Sequence, residues 1–488
     1  MFKEHLLDEL DHSIRQGNLR RVVSALSRVR AAKVDPSQKL RLANLCRRAG
    51  LIPLGLRLLE PLVIPIHKNT CSPTPKERAE YGVLLHRSGA IECAMNELFK
   101  CDKTAAPEAN LYLAFCYFSR WDHRGALAPL KEYLATPLNS YDRTVGLVNL
   151  TAAYVELRMN EQADECFAEL DSILKSKGHL RLRGNTLELR AQKYMAEGQY
   201  DLAEKSLNEA AELFVKNDNR DHIWVKKWQA VLAANRTGDP QSLEDFRAYA
   251  LARRDWESVR DTDFHIIKLR FDQHTFEKLI FGSPYRAYRE RVANRIGKSI
   301  SKESLLIGEA AGSFHLNLIA GTLTAPNTVL KLTPNILCLL TALLSDLYRP
   351  ASTGHLFSKL YPGEYFSYPS SPARVHQLVY RTRKFFENLG ADAKIVQKSD
   401  TYKLIFGPGI AITIPLHSPK KDPKTNYLDL LKKRLGEKSI FKAHDAARAL
   451  DLHPSSTTRF LAWGTTGGHL AKVGKGPATH YRINKTGE

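Results

Sequence analysis

Along the first half of this chain, apolar positions recur at three- and four-residue steps and reset after short polar gaps. That spacing lines apolar side chains along one face of a helix. It predicts helices with short connections from residue 1 to about 250. One motif returns in degenerate form. AQKYMAEGQYDLAEKSLNEAAELF (191–214) carries Ala191, Tyr194, Gly198, Tyr200, Ala203 and Ala210. YLAFCYFSRWDHRGALAPLKEYLA (112–135) repeats it with Ala114, Tyr117, Trp121, Ala126 and Tyr133. LTAAYVELRMNEQADECFAEL (150–170) does so with Ala152, Tyr154, Ala163 and Phe167, and weaker copies lie at 81–99, 42–62 and 14–29. Turns are expected near Gly17, Gly50, Gly89, Trp121, Met159, Gly198 and Gly238, at intervals of 32 to 40 residues. Periods of this size predict stacked helical hairpins. Small residues let paired helices approach, and larger ones fill the groove to the next hairpin, so the array grows by stacking.

Residues 251–312 stay helical without the repeat and form a connector. SPYRAYRERVANRIGKSISKE (283–303) is basic, with Arg286, Arg289, Arg291, Arg295, Lys298 and Lys302 against Glu290 and Glu303. Two readings stand, contact with DNA phosphates or a solvated helix between domains. Gly297-Lys298-Ser299 is not a phosphate loop, because Val292 stands where the earlier glycine is needed.

The texture changes at residue 313. FHLNLIAGTLTAPNTVLKLT (314–333) predicts three short strands broken at Gly321 and Pro326-Asn327. Thr333 and Pro334 open an apolar helix to Arg349, and STGHLFSKLYP (352–362) reads as a second. A third spans Ser371–Leu389, with Ser371 as cap, Pro372 at its first position and Gly390 as stop. Val375, Leu378, Val379, Thr382, Phe385, Phe386 and Leu389 share its inner face. Gln377, Tyr380 and Lys384 point the other way, with His376 and Arg383 on one edge and Arg374 and Arg381 on the other. Such a helix suits DNA reading, and it also suits an ordinary surface position. Two strands follow and turn near Ser399-Asp400. The linker 416–425 leads to three helices, 426–436, 442–452 and 453–468, with Leu461 and Trp463 on the inner side of the last. A glycine-rich hairpin, 469–483, ends the pattern.

Charge shifts the balance between these readings. The 488 residues carry a formal charge of +20. Residues 331–488 hold 24 Lys and Arg against 11 Asp and Glu, so the last third carries most of the excess. Such a concentration favours a polyanionic partner, nucleic acid before membrane. The seven cysteines are scattered without a CxxC pair, which speaks against a disulfide framework or zinc ribbon and for free thiols in a reducing compartment. No apolar run approaches the roughly 20 residues of a membrane span, and the N-terminus lacks an apolar signal core. A cytoplasmic location is expected.

The Gly198-x-Tyr200-x-x-Ala203 core and its copies resemble the tetratricopeptide repeat family over about residues 10–250. That resemblance implies a concave face that binds a peptide, a protein or another copy of the chain. Leu332-Thr333-Pro334, the run Arg374, Val375, Val379, Arg381, Arg383, Lys384, and Thr401-Tyr402-Lys403-Leu404 resemble the OmpR/PhoB-type winged helix-turn-helix domain of bacterial response regulators, over 313–415. Thr401 replaces that family's glycine, and PGEYFSYPSSP (362–372) replaces its usual turn sequence. Ala447-Arg448-Ala449-Leu450, Ser455–Arg459 and Lys475-Gly476…Tyr481 resemble a second winged helix-turn-helix, over 426–488.

These resemblances imply a mainly α chain: an N-terminal α-solenoid of tetratricopeptide-like hairpins (1–250), then two α+β winged helix domains. They also imply a bacterial transcription regulator that binds double-stranded DNA, with a protein or peptide on the array and RNA polymerase as a further candidate partner. The expected DNA contacts are Arg374, His376, Gln377 and Tyr380 on bases and Arg381, Arg383 and Lys384 on phosphates, with Lys398 at the wing. The second reader would use Ser455, Ser456, Thr457, Thr458 and Arg459 in the groove and Lys472, Lys475, His480 and Arg482 on or beside its wing. A scaffold whose winged helices bind proteins is the alternative. There is no HExxH, GxSxG or Walker pair, and His444 and His453 do not match a metal spacing, so neither enzymatic activity, metal nor cofactor is expected.

Overall fold

A computed structural model describes residues 4–15, 18–64, 72–176, 179–215, 221–308, 313–416, 423–436, 440–450, 452, 454–474 and 476–484. The first seven helical hairpins pair α1 (Glu4–Arg15) with α2 (Leu19–Leu26), α3 (Pro36–Arg48) with α4 (Ile52–Val63), and α5 (Pro75–Arg87) with α6 (Ile91–Phe99). They continue as α7 (Glu108–Phe118) with α8 (His123–Leu134), α9 (Ser140–Leu157) with α10 (Asn160–Ser176), α11 (Leu180–Ala196) with α12 (Tyr200–Val215), and α13 (His222–Thr237) with α14 (Gln241–Arg253). Gly50, Gly89, Trp121, Gly198 and Gly238 each take a left-handed φ at the turn of a hairpin, as the repeat spacing predicts. In the fifth hairpin Arg158, not Met159, does so, with φ 56°. Gly17 lies outside the described residues. The motif alanines Ala126, Ala163, Ala191, Ala203 and Ala210 are fully buried, which is what lets the paired helices close on each other.

Helical packing does not stop at residue 250. α15 (Trp256–Leu269) packs on α13 and α14, and α16 (Gln273–Phe281) and α17 (Arg286–Ile296) follow it. At its centre the basic stretch 283–303 is tied into the fold rather than solvated. Arg291 binds Glu156 (2.6 Å) and Asp261 (3.1 Å), and Arg295 binds Glu156 (2.8 Å). α17 thus fastens the end of α9 to α15. Burial alone would push the Asp261 carboxyl up; Lys227 and Arg291 outweigh it and hold the group well below the usual carboxylate range.

The next segment combines two sheets and three helices. β1 (Ser304–Ile307), β2 (Phe314–Asn317), β3 (Thr322–Ala325) and β4 (Thr328–Lys331) precede α18 (Pro334–Leu344). β5 (Ala351–Ser352), α19 (Thr353–Leu360), α20 (Ser371–Asn388), β6 (Ala393–Lys398), β7 (Thr401–Phe406) and β8 (Ile410–Pro415) follow. The three strands expected in 314–333 are β2, β3 and β4, an antiparallel meander. The run after α20 holds three strands rather than two. β6 and β7 turn at Ser399 (φ 52°), and β8 leaves them for the first sheet, order β1-β8-β2-β3-β4, lying parallel to β2. β1 pairs with β8, so this unit begins at Ser304 and the boundary at 313 cuts through it. One buried core runs from Leu7 through Cys116, Phe264 and Tyr288 into Leu316, Phe357, Val375 and Ile414.

A last unit has its own core around Leu431, Leu450, Leu461 and Ile483. It holds α21 (Pro423–Leu435), β9 (Ile440–Phe441), α22 (Ala443–Leu450), α23 (Pro454–Thr466), β10 (Leu470–Val473) and β11 (His480–Ile483), with strand order β10-β11-β9. Leu461 is fully buried and Trp463 half-buried, stacked on Phe460 and His469. α21 starts inside the expected linker, and residues 417–422 lie outside the described residues. No helix among the described residues is long and apolar enough to cross a membrane.

Candidate nucleic-acid interface

α20 forms because its apolar positions keep helical spacing, Pro372 presets the first turn, and Gly390 (φ 66°) ends it. It begins one residue earlier than expected, with Ser370 as N-cap and no side-chain cap; Ser371 instead accepts the Ser367 N–H (2.9 Å). Val375, Leu378, Val379, Thr382 and Phe386 are buried against α18, α19 and β6. On the outer side His376, Gln377, Tyr380, Arg381 and Lys384 are exposed, Tyr380 at 58%. Lys384 is shared with Glu387 on the same face (2.7 Å), a weak surface pair.

Two expected contacts are not on that face. Arg374 is half-buried: Nη1 donates to Glu364 (2.6 Å) and its guanidinium lies 3.7 Å over the Tyr361 ring. Arg383 turns back, donating Nε–H and Nη2–H to the Ile395 carbonyl (2.9 and 2.6 Å), and ties α20 to β6. Both long side chains reach away from the outer face from the edge positions that the spacing gives them. Lys398 is exposed at the β6–β7 turn, opposite Thr401. Sequence reading missed Lys394 and Lys403, exposed on the hairpin's outer face; the alternation in AKIVQK and TYKLIF carried that signal. Lys403 lies 5.6 Å from the Trp256 ring, so that face borders the start of α15.

In the last unit the expected row breaks up. Thr457 is 1% exposed and belongs to the core, because it falls one turn before Leu461 on the inner side of α23. Ser456 is half-buried. Thr458 and Arg459 are exposed, although Thr458 Oγ1 already donates to the Pro454 carbonyl (3.0 Å). Lys472 and Arg482 are exposed, and His480 is half-buried. The Ser455 side chain and Lys475 lie outside the described residues. α21 packs on α18, and Arg381 stands close enough to the buried Tyr427 to oppose the rise that burial gives its hydroxyl pKa. Arg459 acts in the same sense on Tyr361. Arg381 of α20 thus acts towards α21, and Arg459 of α23 towards the residue that follows α19.

The segment feeding α20, residues 361–370, is held by the array. Tyr81 donates to the Phe366 carbonyl (3.2 Å), Glu60 accepts from the Tyr368 N–H (3.2 Å), and Lys100 donates to the Tyr365 hydroxyl (3.3 Å). α19 rests on α6, and Gly354 comes so near the α5–α6 turn that a Cβ there would sit 2.6 Å from the Ser88 carbonyl oxygen.

No family model matches this chain, and no curated protein does. Among solved structures it is similar to the C-terminal part of a TPR repeat-containing protein from Cytophaga hutchinsonii, at 13% identity, over 56% of this chain and 98% of that one, with a TM-score of 0.29.

Proposed function

We propose that this chain is a sequence-specific DNA-binding transcription regulator. In this reading 304–415 is an OmpR/PhoB-type winged helix, 423–484 is a second winged helix, and the tetratricopeptide-like array is their sensing or assembly arm. The observation that carries it is the outward row on α20, where His376, Gln377, Tyr380, Arg381 and Lys384 stand exposed on a helix with a fully packed back. The Lys398 hairpin tip and the basic surplus after residue 331 support it. α20 would lie in the major groove, with Gln377 and His376 towards base edges and Arg381 and Lys384 towards phosphates.

The test is binding of the full chain to a randomised DNA pool, followed by titration of the selected site against salt. Log affinity is expected to fall linearly with log salt. Arg381→Ala is expected to lower that slope by about one unit, and Gln377→Ala to cost about 1–3 kcal/mol on the selected site and little elsewhere. A flat salt response, or no binding at low salt, sinks the reading in favour of a scaffold that binds proteins through these units.

A further inference from the structure

α6, the α16–α17 corner, α18 and the end of α19 line a half-open cavity of about 560 Å³. Its size is that of sites holding small organic molecules. The first repeats, the connector and the α/β segment all contribute to its wall, so it lies at the joint between the array and the support of α20. Phe281, Leu337 and Ile414 supply apolar wall. Thr341, on α18, is one of its lining residues, and its buried hydroxyl has no hydrogen-bond partner among the described residues. A helical threonine can return its hydroxyl to the carbonyl one turn back, as Thr382 does on α20. Thr341 leaves that capacity unused. Arg289 lines the same space, with Nη1 donating to the Ser283 carbonyl (2.9 Å). Burial and the neighbouring Arg286 push its pKa down and Glu290 opposes them; a further anion beside it would act in the same sense as Glu290. The wall's carboxylates already face cations: Glu92 meets Arg120 (2.5 Å) and Lys359 (3.5 Å), and Glu364 meets Arg374 (2.6 Å).

We propose that this cavity binds a small amphipathic organic acid, its apolar body against Phe281, Leu337 and Ile414 and its carboxylate on Arg289 and Thr341. Occupancy sets how tightly the array holds 361–370, and through it α20. The site itself does not depend on the DNA-reading assignment; its effect on DNA affinity does.

The experiment is calorimetric titration of the full chain, without DNA, with decanoate and naphthoate, and with decanol and decyltrimethylammonium for comparison. One saturable site is expected for a carboxylate, about tenfold weaker for the alcohol and absent for the ammonium, as loss of a charge-assisted hydrogen bond implies. Arg289→Gln is expected to weaken the acid about tenfold. Ala342→Phe, which fills the cavity, is expected to abolish binding. If that variant does not fold, Thr341→Val removes only the unpartnered hydroxyl and is expected to weaken the acid severalfold with Tm unchanged. No saturable binding by either acid overturns the proposal. So does indifference to Arg289→Gln and Thr341→Val, or an ammonium that binds as tightly as the acid. The same titration is then repeated on DNA binding. Acid binding with DNA affinity unmoved overturns the coupling. A chain that binds the acid but no DNA overturns the DNA reading and leaves the site standing.

Discussion

Arg381 and Arg383 stand two positions apart on one helix and do different work. Arg381 is exposed on the outer row, whereas Arg383 ends on the Ile395 carbonyl. Arg383→Ala is therefore expected to lower stability by about 1–3 kcal/mol, the scale of a lost charge-assisted bond to a part-buried acceptor, and to leave the salt slope of DNA binding unchanged. Thermal melts paired with salt titrations separate the two outcomes. The buried back of α20 was legible because it needs only helical spacing; the ends of Arg374 and Arg383 were not, because their partners, Glu364 and Ile395, come from outside the helix. Buried imidazoles were equally hidden among dispersed histidines. Burial pushes His86 and His355 down to about 4 and His265 to about 3. Their unfolded pKa is about 6.5, so the unfolded chain takes up protons first as pH falls. Stability from these groups is complete above about pH 6.5 and is lost towards pH 4, by up to about 1.4 kcal/mol per pH unit for each. His265 sits against Trp228 and Phe264, its Nε2 3.9 Å from Asp261 and without a hydrogen bond among the described residues. His265→Phe is expected to flatten the loss by one proton, read from denaturation midpoints at pH 7 and pH 5.

At the scale of elements, the hairpin period was legible because each turn needs a left-handed residue, and glycine accepts that conformation at least cost. Of the two turns without a glycine, one fell where expected, at Trp121, and the other slipped by one, from Met159 to Arg158. β8 was missed for a different reason. Its partners β1 and β2 lie roughly a hundred positions earlier, and local alternation says nothing of such pairing. The grip on 361–370 was likewise invisible, since Glu60 and Tyr81 belong to other helices and Lys100 caps α6. Gly354 is a tight point of the neighbouring contact between α19 and the α5–α6 turn. A methyl group there meets backbone, the Ser88 carbonyl at 2.6 Å and the Ala90 nitrogen at 2.8 Å, so neither neighbour can swing aside. Gly354→Ala is expected to push α19 off the α5–α6 turn, costing about 1–3 kcal/mol as an overpacked site. Hydrogen exchange at α19 and 361–370 should rise while α9–α12 stay protected. Unchanged exchange at α19 would mean that the contact does not hold the segment.

Across the whole molecule the charge excess was legible, but the division into separate bodies was not. The array's first repeats and the α/β segment share one core, and Arg260 is the largest fully buried side chain among the described residues. This residue, on α15, is 0% exposed and donates to both carboxylate oxygens of Asp346, in the turn after α18. Burial works against its charge; Asp346 and Glu257 outweigh that and hold the pKa above its ordinary value. Tyr348 beside it donates to Asp263 (2.8 Å). Removing one member strands the other charge away from water, a cost of about 3–5 kcal/mol. Replacing both with apolar groups removes the pair and the desolvation cost together. Arg260→Met is thus expected to lower the unfolding midpoint steeply, and Arg260→Met with Asp346→Leu to recover most of the loss. Because the core is continuous, the array's first repeats and α18–α20 should lose protection together in the single variant. The last unit, with its own core around Leu431 and Leu461, should keep its protection. If α3–α6 stay protected while α18–α20 open, the two are separate folding units and Arg260 is only a local tether.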